Sequence, residues 1–371
     1  MGRPIYLDYQ ATTPLAPEVF EAMLPWLRDQ FANPHSAHRP GRAAAAAVET
    51  ARGQVLQLLG NHGKLVFTSG ATEAINMGLF GGARLMRARD AGRTCIVTID
   101  TEHAAVRDTV LALEDQGFEA ILLPVEPDGL VNLERARAAI DARTALVAAM
   151  LVNNEIGVIH PVGTLYDLAE EAGALFLCDA VQGYGRVPLP PVADMIAISG
   201  HKIYGPKGIG ALWLRDGLDL PPLMFGGGQE QGMRSGTLSP GLCVGFGQAA
   251  KLMRERFETD AVHVGALWER AVELFAGWNI NGSTTRRYHG NLNIRREGLD
   301  AGRLMSECRD IAFSLGSACA SGSGRSSHVL RALGIGEKAA RSSIRIGFGR
   351  YTTLDELEEA AAAINMAADR Q

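Results

Sequence analysis

Short apolar runs, each followed by a longer stretch with helical spacing of apolar residues, repeat through the first two-thirds of the chain. Helices are predicted at about 17–31 and 40–59, and further helices begin near residues 72, 103, 133 and 163. The predicted strands span residues 64–68, 94–99, 120–123, 145–151, 174–178, 192–198 and 211–214. Alternating strands and helices predict an α/β fold with a mostly parallel sheet, whose ligands gather at the carboxyl ends of the strands.

The pattern changes after the glycine-rich stretch that ends at Gly232. Two long helices are predicted there, followed by shorter strands and a closing helix with one polar face. These elements span residues 240–257, 260–276, 290–294, 311–315, 343–348 and 353–369. We therefore expect a large domain over residues 13–258 and a smaller α+β domain formed by residues 1–12 and 259–371.

Composition and charge exclude several classes of protein. The 371 residues are 47% hydrophobic and 21% charged, as is usual for a globular protein with sizeable cores. A net charge of −5 gives no electrostatic reason to expect nucleic acid or an anionic membrane as partner. The N-terminus has no apolar signal core, and no apolar run approaches the roughly 20 residues of a membrane span. We expect a cytoplasmic protein.

Lysine is rare in this chain, which makes the position of Lys202 informative. Of the 36 lysines and arginines only five are lysines. Lys202 lies on a turn between two predicted strands, 192–198 and 211–214, at the mouth of the sheet. Unlike arginine, a lysine amine can lose its proton and form a Schiff base with a carbonyl compound. The alternative is that Lys202 is only a charge at a strand end.

Two further strand ends carry groups suited to a charged ligand. At Gly70, Ala71 and Thr72 a strand ends and a helix begins, so free N–H groups and the Thr72 hydroxyl could bind a single phosphate group. Asp179 ends another apolar strand, where a partly desolvated carboxylate requires a cation or hydrogen-bond donors. Each position can also be interpreted as an ordinary helix cap.

His103 lies at a third strand-to-helix turn. An imidazole at this position could stack on a flat ring or transfer a proton. A capping or core-edge histidine is the alternative.

The five cysteines indicate neither a disulfide framework nor a metal site, because they are odd in number and lack close pairs. Four of them lie in apolar strands or helices and are predicted to be small buried side chains: Cys95, Cys178, Cys243 and Cys308. Cys319 differs, because it lies in a segment made almost entirely of glycine, serine and alanine.

An amine, a buried acid, an anion-binding helix start and a histidine together indicate pyridoxal phosphate as cofactor. The sequence also resembles the class V aminotransferase-like enzymes, and among them the cysteine desulfurases of the IscS/NifS kind. The matching stretches are YLDYQATTP (6–14), TSGATE (68–73), TEH (101–103), VNNEIG (152–157), DAVQ (179–182), SGHKIYGPKGIG (199–210), GMRSGT (232–237), GSAC (316–319) and SSIRI (342–346). The resemblance covers nearly the whole chain in order.

The resemblance implies the type I fold of pyridoxal-phosphate-dependent transferases, with a mostly parallel seven-stranded sheet in the large domain and a smaller α+β domain. It also implies a homodimer with shared active sites. Lys202 would form the Schiff base and move the Cα proton. Asp179 would pair with the ring nitrogen of the cofactor, Gln182 would donate a hydrogen bond to its ring oxygen, and His103 would stack on the ring. Asn154 and Arg345 would bind the substrate. The cofactor phosphate would be bound by Ala71, Thr72, Ser199, His201 and Thr237 of the partner subunit.

Cys319 decides the reaction that the resemblance implies. The equivalent thiolate in the family attacks the sulfur of the bound cysteine, which yields an enzyme persulfide and alanine. A structural loop cysteine is the alternative for Cys319. For the whole chain the alternatives are a selenocysteine lyase or another lyase or transaminase of the same fold, and a non-catalytic binding partner.

Two differences from the family pattern stand out. Gln10 and Val181 occupy positions where family members usually have small or hydroxylated residues. The sequence stops at Gln371, soon after its last predicted helix, whereas members of the long-loop subgroup carry a further tail that docks the iron–sulfur scaffold. We expect a sulfur-acceptor protein as partner. Because the tail is absent from the sequence, we expect a different acceptor protein as readily as the iron–sulfur scaffold.

Overall fold

The structure, a computed structural model, describes residues 4–189, 193–316 and 327–371. Its first part alternates strands and helices, as predicted. The elements are β1 Ile5–Tyr6, α1 Pro17–Arg28, α2 Arg39–Gln57, β2 Lys64–Thr68, α3 Ala71–Arg89, β3 Cys95–Ile99, α4 Ala104–Ala112, β4 Glu119–Leu123, α5 Leu133–Ala139, β5 Thr144–Met150, α6 Val162–Glu171, β6 Leu175–Asp179, β7 Met195–Ser199 and β8 Gly210–Leu214.

The second part is more mixed. Its elements are α7 Pro240–Glu255, α8 Phe257–Leu274, β9 Asn279–Ile280, β10 Asn291–Arg295, α9 Ala301–Glu307, β11 Ile311–Ala312, β12 Ser314–Leu315, α10 His328–Ala332, α11 Glu337–Arg341, β13 Ser343–Gly347 and α12 Leu354–Ala368. Single 3-10 turns lie at Leu113–Gln116, Gly200–Lys202 and Glu230–Gly232. No helix in these described parts of the chain is long and apolar enough to cross a membrane.

Seven strands form the central sheet in the order β2-β8-β7-β6-β5-β3-β4. The pairs among β3 to β7 are parallel, while β8 runs antiparallel to both of its neighbours. The prediction of an α/β fold with a mostly parallel seven-stranded sheet is confirmed. Successive residues of β2 alternate between the two faces of the sheet: Leu65 and Phe67 join one apolar core, and Val66 joins the other.

A third apolar core lies in the C-terminal part of the chain and involves α8, β10, β13 and α12. Helix α7 instead packs on α1 and α2 beside the central sheet. Near the N-terminus, β1 pairs with β11, and Asp8 bridges to Gly347. The division into two domains near residue 258 stays a prediction.

Two predicted strands differ from the observed ones by more than one residue at an end. The single strand predicted over residues 311–315 is two short strands in different sheets, because β11 pairs with β1 and β12 pairs with β13. Phe313 lies between them and is buried in the third core, where the chain passes from one sheet to the other. The strand predicted over 192–198 is observed at Met195–Ser199, and residue 192 lies outside the described residues.

Candidate active site

A cavity of about 700 Å³ lies beside the carboxyl ends of the central strands and the start of α3, within the usual size range for a small-ligand site. Most of the predicted site residues line it: Ala71, Thr72, His103, Asn154, Asp179, Gln182, Ser199, His201, Lys202 and Arg345. Thr237 does not line this cavity and is exposed on the loop before α7. Cys319 lies outside the described residues. The structure thus brings together groups that are up to 274 positions apart, as Ala71 and Arg345 are.

Lys202 ends the 3-10 turn that follows β7. Its Nζ donates hydrogen bonds to the carbonyl oxygens of Gln10, at 2.5 Å, and Ala11, at 2.8 Å. Thr13 holds this N-terminal segment against the turn, because its hydroxyl donates to the carbonyl of His201 and accepts from the N–H of Tyr204. The amine of Lys202 is therefore held at the cavity wall by a segment nearly 200 residues away in sequence.

Asp179 is the last residue of β6 and is only 5% exposed. Its Oδ1 accepts a hydrogen bond of 2.9 Å from the N–H of Val181. Asp179 therefore caps the chain after β6 and also lines the cavity. Burial raises the pKa of Asp179, and this effect outweighs the opposing influence of Val181, His103 and Lys202. A cation bound beside Asp179 would restore its charged form.

His103 likewise serves both as a cap and as a cavity residue. It precedes α4, and its Nδ1 accepts a hydrogen bond of 3.1 Å from the N–H of Ala105. An Nδ1 that accepts carries no proton, so the neutral ring has its proton on Nε2. Burial lowers the pKa of His103 and Lys202 adds to this, while Asp179 opposes it. The imidazole is therefore suited to donate from Nε2 in its neutral form.

One end of the cavity is rich in donors and positive charge. The first turn of α3 contributes Ala71 and Thr72, Ser199 ends β7, and His201 lies in the 3-10 turn that follows β7. Burial lowers the pKa of His201 to about 4, and the nearby cations Lys202, Lys207 and Arg186 lower it further. Free N–H groups, hydroxyls and cations together favour an anionic ligand.

Close packing brings the helix start of α3 to this end of the cavity. A Cβ atom added at Gly210 would lie 2.6 Å from the carbonyl oxygen of Ile198 and 2.9 Å from the N of Ala71. Glycine is therefore required where β8 passes the first turn of α3. Glu73 fixes the same turn, since its carboxylate accepts from Ser69 N at 2.6 Å and from Arg234 Nε at 2.7 Å.

Arg345 lies in β13 at another wall of the cavity and is 1% exposed. Its guanidinium donates to Asp8 Oδ1 at 2.8 Å, Ser314 Oγ at 3.2 Å and the carbonyl of Asn154 at 3.0 Å. Asp8 forms the ion pair that compensates the buried charge. Arg345 is thus a rigidly oriented cation in the wall of the cavity, which suits recognition of a carboxylate.

Sequence reasoning did not assign roles to several polar residues around the cavity. Asp8 orients Arg345, the main-chain carbonyl of Gln10 accepts from both Lys202 and Gln182, and Arg186 donates to Gln182. Glu102 is fully buried, its Oε1 accepts from Met150 N at 2.6 Å, and burial together with the nearby Asp179 raises its pKa well above the ordinary value. Asp8, Gln10 and Glu102 lie inside stretches that carry the family resemblance, which is the signal that could have drawn attention to them.

Comparisons with known proteins identify the family of this chain. The sequence profile of the family Aminotransferase class-V matches residues 5–359, and the chain belongs to this family. Among its relatives is the cysteine desulfurase IscS of Rickettsia rickettsii, which is 44% identical over 372 aligned residues that cover 97% of this chain and 90% of the relative.

Solved structures extend the likeness. A NifS-like protein with 31% identity superposes with a TM-score of 0.92, covering 99% of this chain and 100% of its own. A structure described as SspA in complex with cysteine has 35% identity and a TM-score of 0.83, covering 94% of this chain and 99% of its own. The similarity therefore extends through the whole fold and is not confined to the cavity.

Proposed function

We propose that this chain is a cysteine desulfurase that uses pyridoxal phosphate to convert L-cysteine to L-alanine and takes up the released sulfur on Cys319. The observation that carries the proposal is the meeting of Lys202, Asp179, His103 and Arg345 at one cavity. The relatives named cysteine desulfurase and the neighbour solved in complex with cysteine support the choice of reaction and substrate.

The residues of the cavity fit pyridoxal phosphate. Its donor-rich end suits the phosphate, which Ala71, Thr72, Ser199 and His201 would hold, and the carboxylate of Asp179 suits a protonated ring nitrogen. Gln182 would donate to the ring oxygen, and His103 would face the ring. When bound, the cofactor supplies an electron sink that stabilises negative charge at the Cα of the substrate.

Within this proposal the side chains divide the work of binding and proton transfer. Arg345 binds the substrate carboxylate, and the ion pair with Asp8 keeps its guanidinium in place. Asn154 lies beside Arg345, because the main-chain carbonyl oxygen of Asn154 accepts a hydrogen bond from the Arg345 guanidinium. Lys202 Nζ removes the proton from the substrate Cα and returns it, and His103 donates a proton from Nε2.

Sulfur leaves the substrate by transfer to a thiol. The C–S bond of cysteine breaks, an S–S bond forms with Cys319, and alanine and a persulfide result without any external oxidant or reductant. The persulfide sulfur then passes to an acceptor protein for iron–sulfur cluster assembly or for thiolation. Cys319 lies outside the described residues, so its role rests on the family resemblance.

We also propose that the active enzyme is a homodimer. Thr237 is exposed on the loop before α7, outside the cavity of its own chain. This position is compatible with Thr237 of the partner subunit completing the phosphate site. Crosslinking of the purified protein followed by mass determination would contradict the dimer if only single chains were found.

The test of the reaction compares three proteins with L-cysteine and pyridoxal phosphate. The unaltered protein should form alanine and a protein persulfide in equal amounts in a single turnover. Cys319→Ser should bind the cofactor with its yellow colour yet release no sulfur, whereas Cys308→Ser, which removes a buried cysteine of the third core, should behave like the unaltered protein. Full activity of Cys319→Ser would contradict the persulfide mechanism, and a strong preference for selenocysteine would favour a selenocysteine lyase.

A further inference from the structure

Arg186 and three residues of the cavity wall, Gln10, Gln182 and Lys202, form a closed ring of hydrogen bonds. Arg186 Nη1 donates to Gln182 Oε1 at 2.7 Å, and Arg186 Nη2 donates to the carbonyl oxygen of Lys202. Gln182 Nε2 donates to the carbonyl oxygen of Gln10 at 2.9 Å, and Lys202 Nζ donates to that same oxygen at 2.5 Å. The guanidinium of Arg186 therefore holds both a side chain and a piece of main chain that line the cavity.

The ring allows one orientation of the Gln182 amide. Arginine has only donors, and a main-chain carbonyl has only acceptor positions. If the Gln182 amide were turned over, its NH₂ group would face the Arg186 guanidinium and its oxygen would face the Gln10 oxygen. Both contacts would then be repulsive, so Arg186 and Gln10 together keep the Gln182 nitrogen on the side of Lys202.

The contacts of Arg186 differ from those of a purely structural arginine nearby. Both arginines lie over a tyrosine ring, Arg350 at 4.2 Å from the centroid of Tyr204 and Arg186 at 5.4 Å from that of Tyr288. Arg350, however, forms an ion pair with Asp260 at 2.7 Å. Within the described ranges no carboxylate lies within ion-pair distance of Arg186, whose acceptors are neutral oxygens of Gln182 and Lys202. No neighbouring carboxylate among the described residues neutralises the charge of Arg186, and this charge contributes to the lowered pKa of His201 in the cavity.

Arginine is needed at this position because the two acceptors belong to different parts of the chain. Gln182 follows β6, whereas Lys202 follows β7. A planar fork with two terminal nitrogens reaches both oxygens at once, while a lysine amine is a single point charge that would reach one of them well. The sequence places Arg186 four residues after Gln182, within one compact turn.

We propose that Arg186 is a positioning residue that fixes the donor orientation of Gln182 and the main chain of Lys202 for the cofactor. This inference rests on the proposed function, since the cofactor is the group that both residues would serve. Arg186 itself does not line the cavity and is not expected to touch the substrate.

The experiment uses Arg186→Met and Arg186→Lys in the full chain. A matched control is Arg93→Met, because Arg93 likewise makes two hydrogen bonds that join separate parts of the chain, to the main-chain carbonyls of Thr144 and Ala172, but lies away from the cavity. The measurements are the Kd of each apoprotein for pyridoxal phosphate, the Tm without cofactor, and kcat and KM for L-cysteine.

Arg186→Met should weaken cofactor binding by about tenfold or more, the usual effect of losing hydrogen bonds to a charged group. Its kcat should fall while KM for cysteine changes little, and Arg186→Lys should recover only part of both losses. Arg93→Met should lower the Tm without changing the Kd or kcat. A crystal structure of the Arg186→Met apoprotein should show the Gln182 side chain displaced from the carbonyl oxygen of Gln10.

The inference fails if Arg186→Met keeps the Kd, the kcat and the Gln182 side-chain position of the unaltered protein, or if its losses follow the Tm as in Arg93→Met. In that case the proposed function would stand, because the unaltered enzyme would still bind the cofactor and form alanine. An unaltered protein that bound no pyridoxal phosphate would instead refute the proposed function, and this inference with it.

Discussion

Two buried carboxylates beside the same central sheet have opposite surroundings. Glu230 accepts hydrogen bonds from both terminal nitrogens of Arg52, each at 2.8 Å, and from the N–H of Phe67 at 2.7 Å. Asp179, at the end of β6, accepts one from the N–H of Val181 among the described residues, and it lines the cavity. The chain itself provides the cation for Glu230 and provides no such ion pair for Asp179 in its described ranges.

The difference separates a structural carboxylate from one that serves a ligand. A buried charge without a partner is unfavourable, and the raised pKa of Asp179 expresses that burial penalty. A ligand that brings a cation would remove this penalty, and a carboxylate with a perturbed pKa in a cavity is a candidate for that role. Substitutions at the two carboxylates should therefore affect different properties, and the following predictions run from the largest expected effect to the smallest.

The strongest test is Asp179→Asn. Asparagine keeps an oxygen that can accept from Val181 but removes the negative charge. We expect alanine formation to fall by about 10²–10³-fold, the size of loss typical for one electrostatic group of an active site. The apoprotein should be as stable as the unaltered one or slightly more so, because a buried charge is lost. The measurements are kcat, the Kd for pyridoxal phosphate and the apoprotein Tm.

Asp194→Asn provides the control for Asp179→Asn. Asp194 is also buried, accepts from the N–H of Phe176 at the other end of β6, and pairs with Arg215. Its substitution should lower the Tm and leave kcat unchanged. If Asp179→Asn retained activity within a factor of about ten, Asp179 would not be the partner of a cationic ring nitrogen.

Glu230→Gln should show the reverse behaviour. Breaking a buried ion pair leaves the other charge uncompensated and costs about 3–5 kcal/mol of stability. We expect about 3 kcal/mol, at the lower end of that range, because Glu49 still contacts Arg52 from the solvent side. Chemical denaturation of the apoprotein measures this loss, and kcat of the folded enzyme should stay close to that of the unaltered enzyme.

Glu49→Gln is the matched control, since it removes the exposed partner of the same arginine. Exposed ion pairs contribute about 0–1 kcal/mol, so its effect should be small. A loss of cofactor affinity in Glu230→Gln without a loss of stability would contradict the distinction between the two carboxylates.

The same comparison shows what the sequence could and could not predict. Asp179 and Ser199 end apolar strands and Lys202 ends the turn after the second of them, so local pattern places all three at the carboxyl ends of the sheet. The pair of Arg52 and Glu230 joins residues 178 positions apart and depends on how separate elements pack. The ring around Arg186 likewise depends on the meeting of three chain segments, which no local pattern encodes.

The resemblance to a family predicted more of the site than local sequence pattern did, but it did not predict every contact. It assigned Arg345 to the substrate, yet the partners that hold Arg345 come from β12 and from the segment after β1. It assigned Thr237 to the phosphate site of a neighbouring subunit. Thr237 lies outside the cavity of its own chain, and its role stays a prediction. The split of the strand predicted at 311–315 also escaped prediction, since pairing with two different sheets is a tertiary effect.

Glu155 is another buried carboxylate, and its surroundings are intermediate between those of Glu230 and Asp179. Its Oε2 accepts a hydrogen bond of 2.5 Å from the Ser327 hydroxyl, so it has a donor but no hydrogen-bonded cation among the described residues. Burial raises its pKa from the ordinary 4.5 to about 7, against the opposing effects of Ser327 and Arg345. Between these pH values the folded chain keeps a proton that the unfolded chain has lost.

The sign of the pH dependence follows from that proton. The raised pKa contributes stability that is fully present below pH 4.5 and is lost as the pH rises through about 7. Glu155→Gln cannot ionise, so the variant should lack this decline of about 1.4 kcal/mol per pH unit per proton. At pH 8 it should exceed the unaltered protein by about 1–2 kcal/mol, because the new NH₂ group offsets part of the gain.

Denaturation of the apoproteins across pH 5–8 measures this difference, with the exposed Glu297→Gln as control. The control should follow the unaltered protein at every pH. Equal slopes for Glu155→Gln and the unaltered protein would mean that Glu155 ionises in the fold as easily as in water. The hydroxyl of Ser327 would then compensate the buried charge of Glu155 as fully as Arg52 compensates that of Glu230. In that case the presence of a hydrogen-bonded cation would not be what separates structural carboxylates from Asp179.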